Sequence, residues 1–233
     1  MKSLFQFERY LFKSEFLFDG LQKETVKLLY TNQKIINYEK GQIIFHEGTQ
    51  PTGIHYILKG KVKKYASGHD GRQHIFYLCH EKELLGYHAL LCNEPYPDSA
   101  AVLENSEIAF IPAKDFLLAI EQSHLLSQKL LQNLSHEFGV FINSTRILAQ
   151  YSVRERTAIT LLVLNEKYKM HQPKNMTVEI NLSRNDLASI VGTVKETLVR
   201  ILHDFKEEGI IESRGRSILI KNPKALEKIS SHY

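Results

Sequence analysis

Leu182 to Ile220 reads LSRNDLASIVGTVKETLVRILHDFKEEGIIESRGRSILI, and the rest of the chain is interpreted outward from it. Ser183 is placed to cap a helix whose first turn holds Asp186 and whose apolar face is Leu187, Ile190 and Val191. Gly192 permits a turn, after which Thr193 opens a second helix. Glu196 follows three residues on, a spacing at which each side chain can satisfy the other's free backbone amide. Two short helices joined by a tight turn are predicted.

On the second helix Leu198, Ile201, Leu202 and Phe205 share one face, while Lys195, Glu196, Val199, Arg200 and His203 share the other. The polar face carries an acid and several bases near the helix start. That combination suits a DNA major groove, where arginine grips guanine O6 and N7 with two hydrogen bonds and glutamate accepts from cytosine N4. Glu196 also fits a purely capping role, and Arg200 lies one turn away, where the two can pair as an exposed salt bridge. Neither role excludes base contact. Gly209 ends the helix, and IIESRGRSILI reads as a β-hairpin whose tip, with Arg214 and Arg216, can lie on phosphates or simply be solvated.

Upstream, Ile35 to Ile111 is strand-like. QIIFHEG, GIHYILKGKVKKYAS, RQHIFYLC and SEIAFIP are rich in Ile, Val, Tyr and Phe and are separated by turn residues, with a hairpin expected at Ser67 to Gly71. After Pro112 the period becomes helical: a short helix over Ala113 to Gln122, then a long one from about His124 to Gln150. On the latter, Leu131, Leu134, Phe138, Phe141, Thr145 and Leu148 alternate in steps of three and four. Such a stripe can be buried within its own domain or against a second copy. Helical periodicity resumes after Ser152 and yields to a loop around Pro173.

The 233 residues suffice for two domains. Net charge is +4, and residues 1–151 carry 16 basic and 16 acidic side chains, so the excess lies in the last third, where a polyanion partner would bind. No apolar run approaches the roughly 20 residues of a membrane-spanning helix. MKSLFQFERYLFKSEF lacks the apolar core of a secretory signal, which points to the cytoplasm. Cys79 and Cys92 alone match no disulfide scaffold or cysteine-ligated cluster.

SRNDLASIVGTVKETLVRIL followed by a basic wing resembles the winged helix-turn-helix of the Crp/Fnr family of bacterial transcription regulators, and the order of strands, long helix and C-terminal domain matches over nearly the whole chain. The resemblance implies an α+β fold. Its parts are an N-terminal β-roll (double-stranded β-helix, cupin-like), a dimerisation helix over about 124–151, and a winged helix-turn-helix domain. The boundaries are 1–151 for the effector domain and 152–233 for the DNA-binding domain. It also implies a homodimer on pseudo-palindromic double-stranded DNA, RNA polymerase as a partner, Ser152 as a hinge, and no enzymatic activity. Carried over by position, the base readers are Lys195, Glu196 and Arg200, with Lys where the family frequently has Arg. Thr193, Thr197, Arg214 and Arg216 are left for phosphates.

Cyclic-AMP-binding members resemble G-E-L followed by R-S-A; here the segment is Gly86-Tyr87-His88-Ala89-Leu90-Leu91-Cys92-Asn93-Glu94-Pro95-Tyr96-Pro97-Asp98-Ser99-Ala100. Tyr87 replaces the ribose-binding Glu and Asp98 replaces the phosphate-binding Arg. A carboxylate about 4 Å from a phosphate repels it by roughly 1 kcal/mol even in bulk water. Phe141 and Ile142 stand where hydroxyls would meet the adenine. The effector pocket, drawn from Gly86, Tyr87, His88, Asp98, Ser99, Phe141 and Ile142, is therefore expected to hold an unknown ligand other than cyclic AMP, or none. Among 11 histidines, His46, His55, His74, His80 and His88 lie in the β-rich region without a spacing diagnostic of metal or haem, so neither metal nor cofactor is assigned. A cupin-type metalloenzyme with an accessory nucleic-acid module is the alternative, and a ligand-binding protein whose helix-turn-helix contacts protein is a third.

Overall fold

The strand-forming runs between Lys34 and Pro112 assemble into two four-stranded antiparallel sheets in a computed structural model that describes residues 6–170 and 177–230. Contacts divide the chain into two compact units, residues 12–138 and residues 1–11 together with 139–233. The division falls inside the long helix. The loop expected around Pro173 lies outside the described residues.

The first unit runs α1 (Lys23–Thr31), β1 (Lys34–Tyr38), β2 (Ile43–Phe45), β3 (Gly53–Lys59), β4 (Val62–Ser67), β5 (Gln73–Cys79), β6 (Leu84–Leu85), α2 (Tyr87–Cys92), β7 (Ser99–Val102), β8 (Ser106–Pro112), α3 (Ala113–Gln122) and the first half of α4 (His124–Gln150). Strand orders are β1-β8-β3-β6 and β2-β7-β4-β5, the jelly-roll form of the expected β-roll. The expected hairpin joins β4 to β5. Ser67 pairs with Gln73, the Gly68 amide donates to Arg72 O at 2.8 Å, and Gly71 takes a φ of +76°. Alternation sends Ile54 to one face of β3 and His55 and Ile57 to the other, both faces being covered; Ile54 joins Leu17, Leu29, Leu84, Ile111, Phe116, Leu126 and Leu130 in one core. Thus α1, α3 and the start of α4 cover the roll.

In the second unit, α4 is followed by α5 (Val153–Met170), β9 (Ile180–Asn181), α6 (Arg184–Val191), α7 (Lys195–Glu207), β10 (Ile211–Arg214), β11 (Ser217–Ile220) and α8 (Pro223–Ser230). Only residues 151–152 separate α4 from α5. The Ser152 amide donates to Glu155 Oε2 at 2.7 Å, and the Glu155 amide donates back to Ser152 Oγ at 3.4 Å, a reciprocal cap that fixes where α5 starts. The expected strand pair gains a third member, giving the order β10-β11-β9. α8 closes the core with fully buried Leu226. Among the described residues no helix is long and apolar enough to cross a membrane.

His55 of β3 is buried between the rings of Phe45 on the opposite sheet, at 5.6 Å, and Phe110, at 5.3 Å. Its Nδ1 has no hydrogen-bond partner among the described residues, and burial lowers the pKa to about 4. An unfolded histidine takes up its proton near pH 6.5, so between there and about pH 4 the unfolded chain binds a proton that the folded chain refuses. Stability contributed by neutral His55 is therefore complete above this window. It should fall by about 1.4 kcal/mol per pH unit, roughly 3 kcal/mol in all, as pH drops through the window. Urea unfolding at about pH 7 and pH 4.5 should show a shallower loss in His55→Phe than in the parent chain. Equal losses would mean that His55 titrates normally.

Candidate DNA-reading surface and β-roll interior

The helix pair is built by its caps. The Ser183 hydroxyl accepts from the Asp186 amide at 3.0 Å and donates to the Asp186 carboxylate at 2.6 Å, as a cap at that position requires. Gly192 ends α6 with a φ of +71°, a conformation that strains any L side chain, and the Leu148 side chain packs beside it, its Cδ2 2.9 Å from where a Cβ would sit. The next helix departs from the sequence expectation. Thr193 donates its amide to Ala188 O at 3.0 Å, so it still belongs to the turn. Val194, extended at φ −84° and ψ 152°, is the N-cap, and no side chain caps α7. The Thr193/Glu196 capping box is not formed, because closing α6 uses Thr193 and delays α7 by one residue. Glu196 falls in the first turn, where a negative charge meets the positive end of the helix dipole.

α7 divides its faces as its period dictates. Leu198 and Phe205 are fully buried, and Ile201 and Leu202 are nearly so. Lys195, Glu196, Val199, Arg200 and His203 are exposed, while Thr193 and Thr197 are half-buried. Lys195, Glu196 and Arg200 form no side-chain hydrogen bond or ion pair among the described residues, so the possible Glu196–Arg200 salt bridge is not made. Arg154 anchors the far end, donating from Nη2 to both Glu208 carboxylate oxygens at 2.7 Å while its guanidinium lies 4.6 Å from the Phe205 ring centre.

The wing strands pair from Ile211 with Ile220 to Arg214 with Ser217, leaving Gly215 and Arg216 at the tip. Arg216 is exposed. Arg214 is held by Glu212, Nε to Oε1 at 2.6 Å, and this bond together with the arginine's charge lowers the Glu212 pKa. Arg184, which the sequence alone does not single out, shapes the wing. Its guanidinium donates to Arg216 O (3.1 Å), Ser213 Oγ (2.7 Å) and Gly215 O (3.0 Å), pinning the tip to the start of α6.

Within the roll, the suspected effector segment forms a buried polar cluster. Gly86, with a φ of +80°, starts α2, and a Cβ on it would lie 2.9 Å from Tyr96 Cε1. Tyr87 donates its hydroxyl proton to Glu137 Oε1 at 2.5 Å. Asn133 Nδ2 donates to both, at 2.7 Å to Tyr87 and 3.1 Å to Glu137. Burial raises the pKa of Glu137 and, with the Glu137 charge, that of Tyr87. Asp98 is buried against Lys64 Nζ at 2.9 Å, with its other oxygen 4.0 Å from His88 Nε2. Burial raises the Asp98 pKa against the lowering effect of Lys64, and burial followed by the Lys64 charge takes His88 down to about 3. Ser99 Oγ accepts from the Glu47 amide at 2.9 Å. Phe141 and Ile142 belong to the other unit and are exposed on α4.

Lys64, Asn133 and Glu137 are absent from the residues that the sequence singles out. Lys64 shares a strand face with Val62 in β4, which signals its burial, but nothing local in the sequence links it to Asp98. Among the described residues no group of three or more His, Cys, Asp or Glu is arranged to hold a metal ion. On α4, Leu131 and Phe138 are each 68% exposed and Phe141, Thr145 and Leu148 are exposed, whereas Leu134 packs on the core of the roll.

Two family models match the chain: the cyclic nucleotide-binding domain over residues 35–123 and the Crp-like helix-turn-helix domain over residues 155–229. The cyclic AMP receptor protein of Thermus thermophilus is 26% identical over 214 residues, 92% of this chain and 96% of that one. Among solved structures, FixK2 from Bradyrhizobium japonicum superposes with a TM-score of 0.74 at 19% identity, covering 86% of this chain and 98% of that one. A transcriptional regulator of the CRP/FNR family from Thermus thermophilus reaches 0.66 at 21% identity, covering 84% and 98%. A jelly roll, a long helix and a Crp-like helix-turn-helix thus stand in the order both matches require, and the chain belongs to the Crp/Fnr family of DNA-binding transcription regulators.

Proposed function

We propose that the chain acts in the cytoplasm as a homodimer reading a pseudo-palindromic operator, with the two α7 helices in successive major grooves about 34–36 Å apart. The observation that carries this is the polar face of α7, with Lys195, Glu196 and Arg200 exposed and, among the described residues, unbonded beside a buried apolar face. Arg200 grips guanine and Glu196 accepts from cytosine, while Lys195 supplies a point charge without a planar fork. Thr193, Thr197 and Arg216 contact phosphates, joined by Arg214 once it shares or leaves Glu212. RNA polymerase is the partner through which binding alters transcription. Family membership favours this reading over the cupin-type metalloenzyme.

The dimer is sealed by Leu131, Phe138, Phe141, Thr145 and Leu148, an exposed apolar stripe of the kind proteins cover. Leu134 lies on the same stripe but is shared with the roll. The effector site is unsuited to cyclic AMP because Asp98 is buried where its phosphate would need a cation, and the cation beside it, Lys64, is already engaged by that carboxylate.

Fluorescence anisotropy on duplexes selected from a random pool should show selective binding that weakens steeply with salt. Arg200→Ala should cost about 1–3 kcal/mol on the selected sequence and relax preference at one position per half-site. Unchanged selectivity would remove Arg200 as a reader. In sedimentation velocity the parent chain should run at twice its chain mass, and Phe138→Lys should shift it toward the monomer. A Phe138→Lys dimer as tight as the parent would place the interface elsewhere. Titrating about 1 mM cyclic AMP, a concentration that detects Kd values to the millimolar range, should give neither binding heat nor a change in DNA affinity. Saturable binding would refute the reading of Asp98.

A further inference from the structure

Arg156, in the first turn of α5, makes contacts that go beyond holding one helix. Its Nε donates to Val191 O at 3.0 Å and its Nη2 to Gly192 O at 3.0 Å, both at the end of α6. Its Nη1 donates to Tyr151 O at 3.1 Å and to Leu148 O at 3.5 Å, at the end of α4. A helix leaves its last four carbonyls without intrahelical partners and carries roughly half a negative charge there. Two such ends converge on one guanidinium.

Without a cation between them, these two negative helix ends would repel each other and leave carbonyls unsatisfied. A planar group with five donors in fixed directions can serve both at once, whereas an ammonium supplies charge without the fork. Leu148 reinforces the junction from the α4 side, because its Cδ2 stands 2.9 Å from where a Cβ on Gly192 would sit. The α6–α7 turn is therefore fastened to the C-terminal end of α4 through the Arg156 guanidinium, with the Leu148 side chain packed beside Gly192. The Ser152–Glu155 cap fixes where α5 starts and Arg154 ties α5 to α7, while Arg156 adds the hydrogen bonds that join the end of α6 to the end of α4.

We infer that Arg156 is the positioning residue that sets the spacing between the two recognition helices, by locking the helix-turn-helix turn to the end of the long helix. This rests on the paired-copy reading above. A change in the angle at this junction moves each α7 along the duplex without altering the side chains that read bases. Arg156 therefore governs tolerance to half-site spacing and leaves base preference within each half-site alone.

The test uses the full chain and duplexes selected by the parent protein, with the central spacer unchanged or altered by one or two base pairs. The parent should prefer the native spacer by about tenfold or more, while Arg156→Gln should discriminate by less than about threefold and keep the same base preferences within a half-site. Arg156→Lys should unfold at nearly the parental temperature yet show the same relaxed spacing, which a purely stabilising residue would not produce. Should Arg156→Gln fail to fold, the Arg156→Lys comparison decides. Parental discrimination in the folded variants overturns the inference. A parent chain indifferent to spacing overturns the paired-copy reading and the inference with it.

Discussion

Burial of Leu198, Ile201, Leu202 and Phe205 along one side of α7 is the constraint on which the remaining features depend. Four apolar side chains at helical spacing can be hidden only if the helix lies with its other side to solvent, so the core itself presents Lys195, Glu196 and Arg200. The rest of the domain supports that orientation. Ser183 and Gly192 fix the ends of α6, Arg154 lies against Phe205 and grips Glu208, and Arg184 holds the wing beside the helix pair. The exposed polar side chains gain freedom because the residues behind them have none.

A different logic governs the roll. Three ionisable groups, Lys64, Asp98 and His88, are drawn together out of water, and the environment keeps the imidazole neutral while the amine and carboxylate compensate each other. Breaking one partner of such a pair is costly because the other is stranded. The interior that bound phosphate would require thus carries its own counter-charge, and Glu137 places a second carboxylate on α4 itself, hydrogen-bonded to Tyr87 of α2.

Much of this was legible in the residues. The strand runs, the β4–β5 hairpin, the limits of α3 and α4, the two faces of α7 and the wing all follow from period and turn chemistry, which act locally. The features that escaped depend on distant or marginal partners. β9 is two residues long and has no period to show; α8 is defined by packing against α5; Thr193 lost its capping role to the closure of α6. Arg156 and Arg184 look like any surface arginine until tertiary structure brings carbonyls from 35 and 31 residues away into reach. The cluster around Asp98 is half visible in the sequence: the carboxylate stands out, but its partner Lys64 lies in another strand.

Guanine N7 protection from methylation in the complex with a selected duplex tests the central claim most directly, since N7 faces the major groove and is covered by a bidentate arginine. Two sets of protected guanines related by a two-fold axis, with centres about one helical turn apart, are predicted. Protection at a single unpaired site, or none in the major groove despite tight binding, would contradict the account.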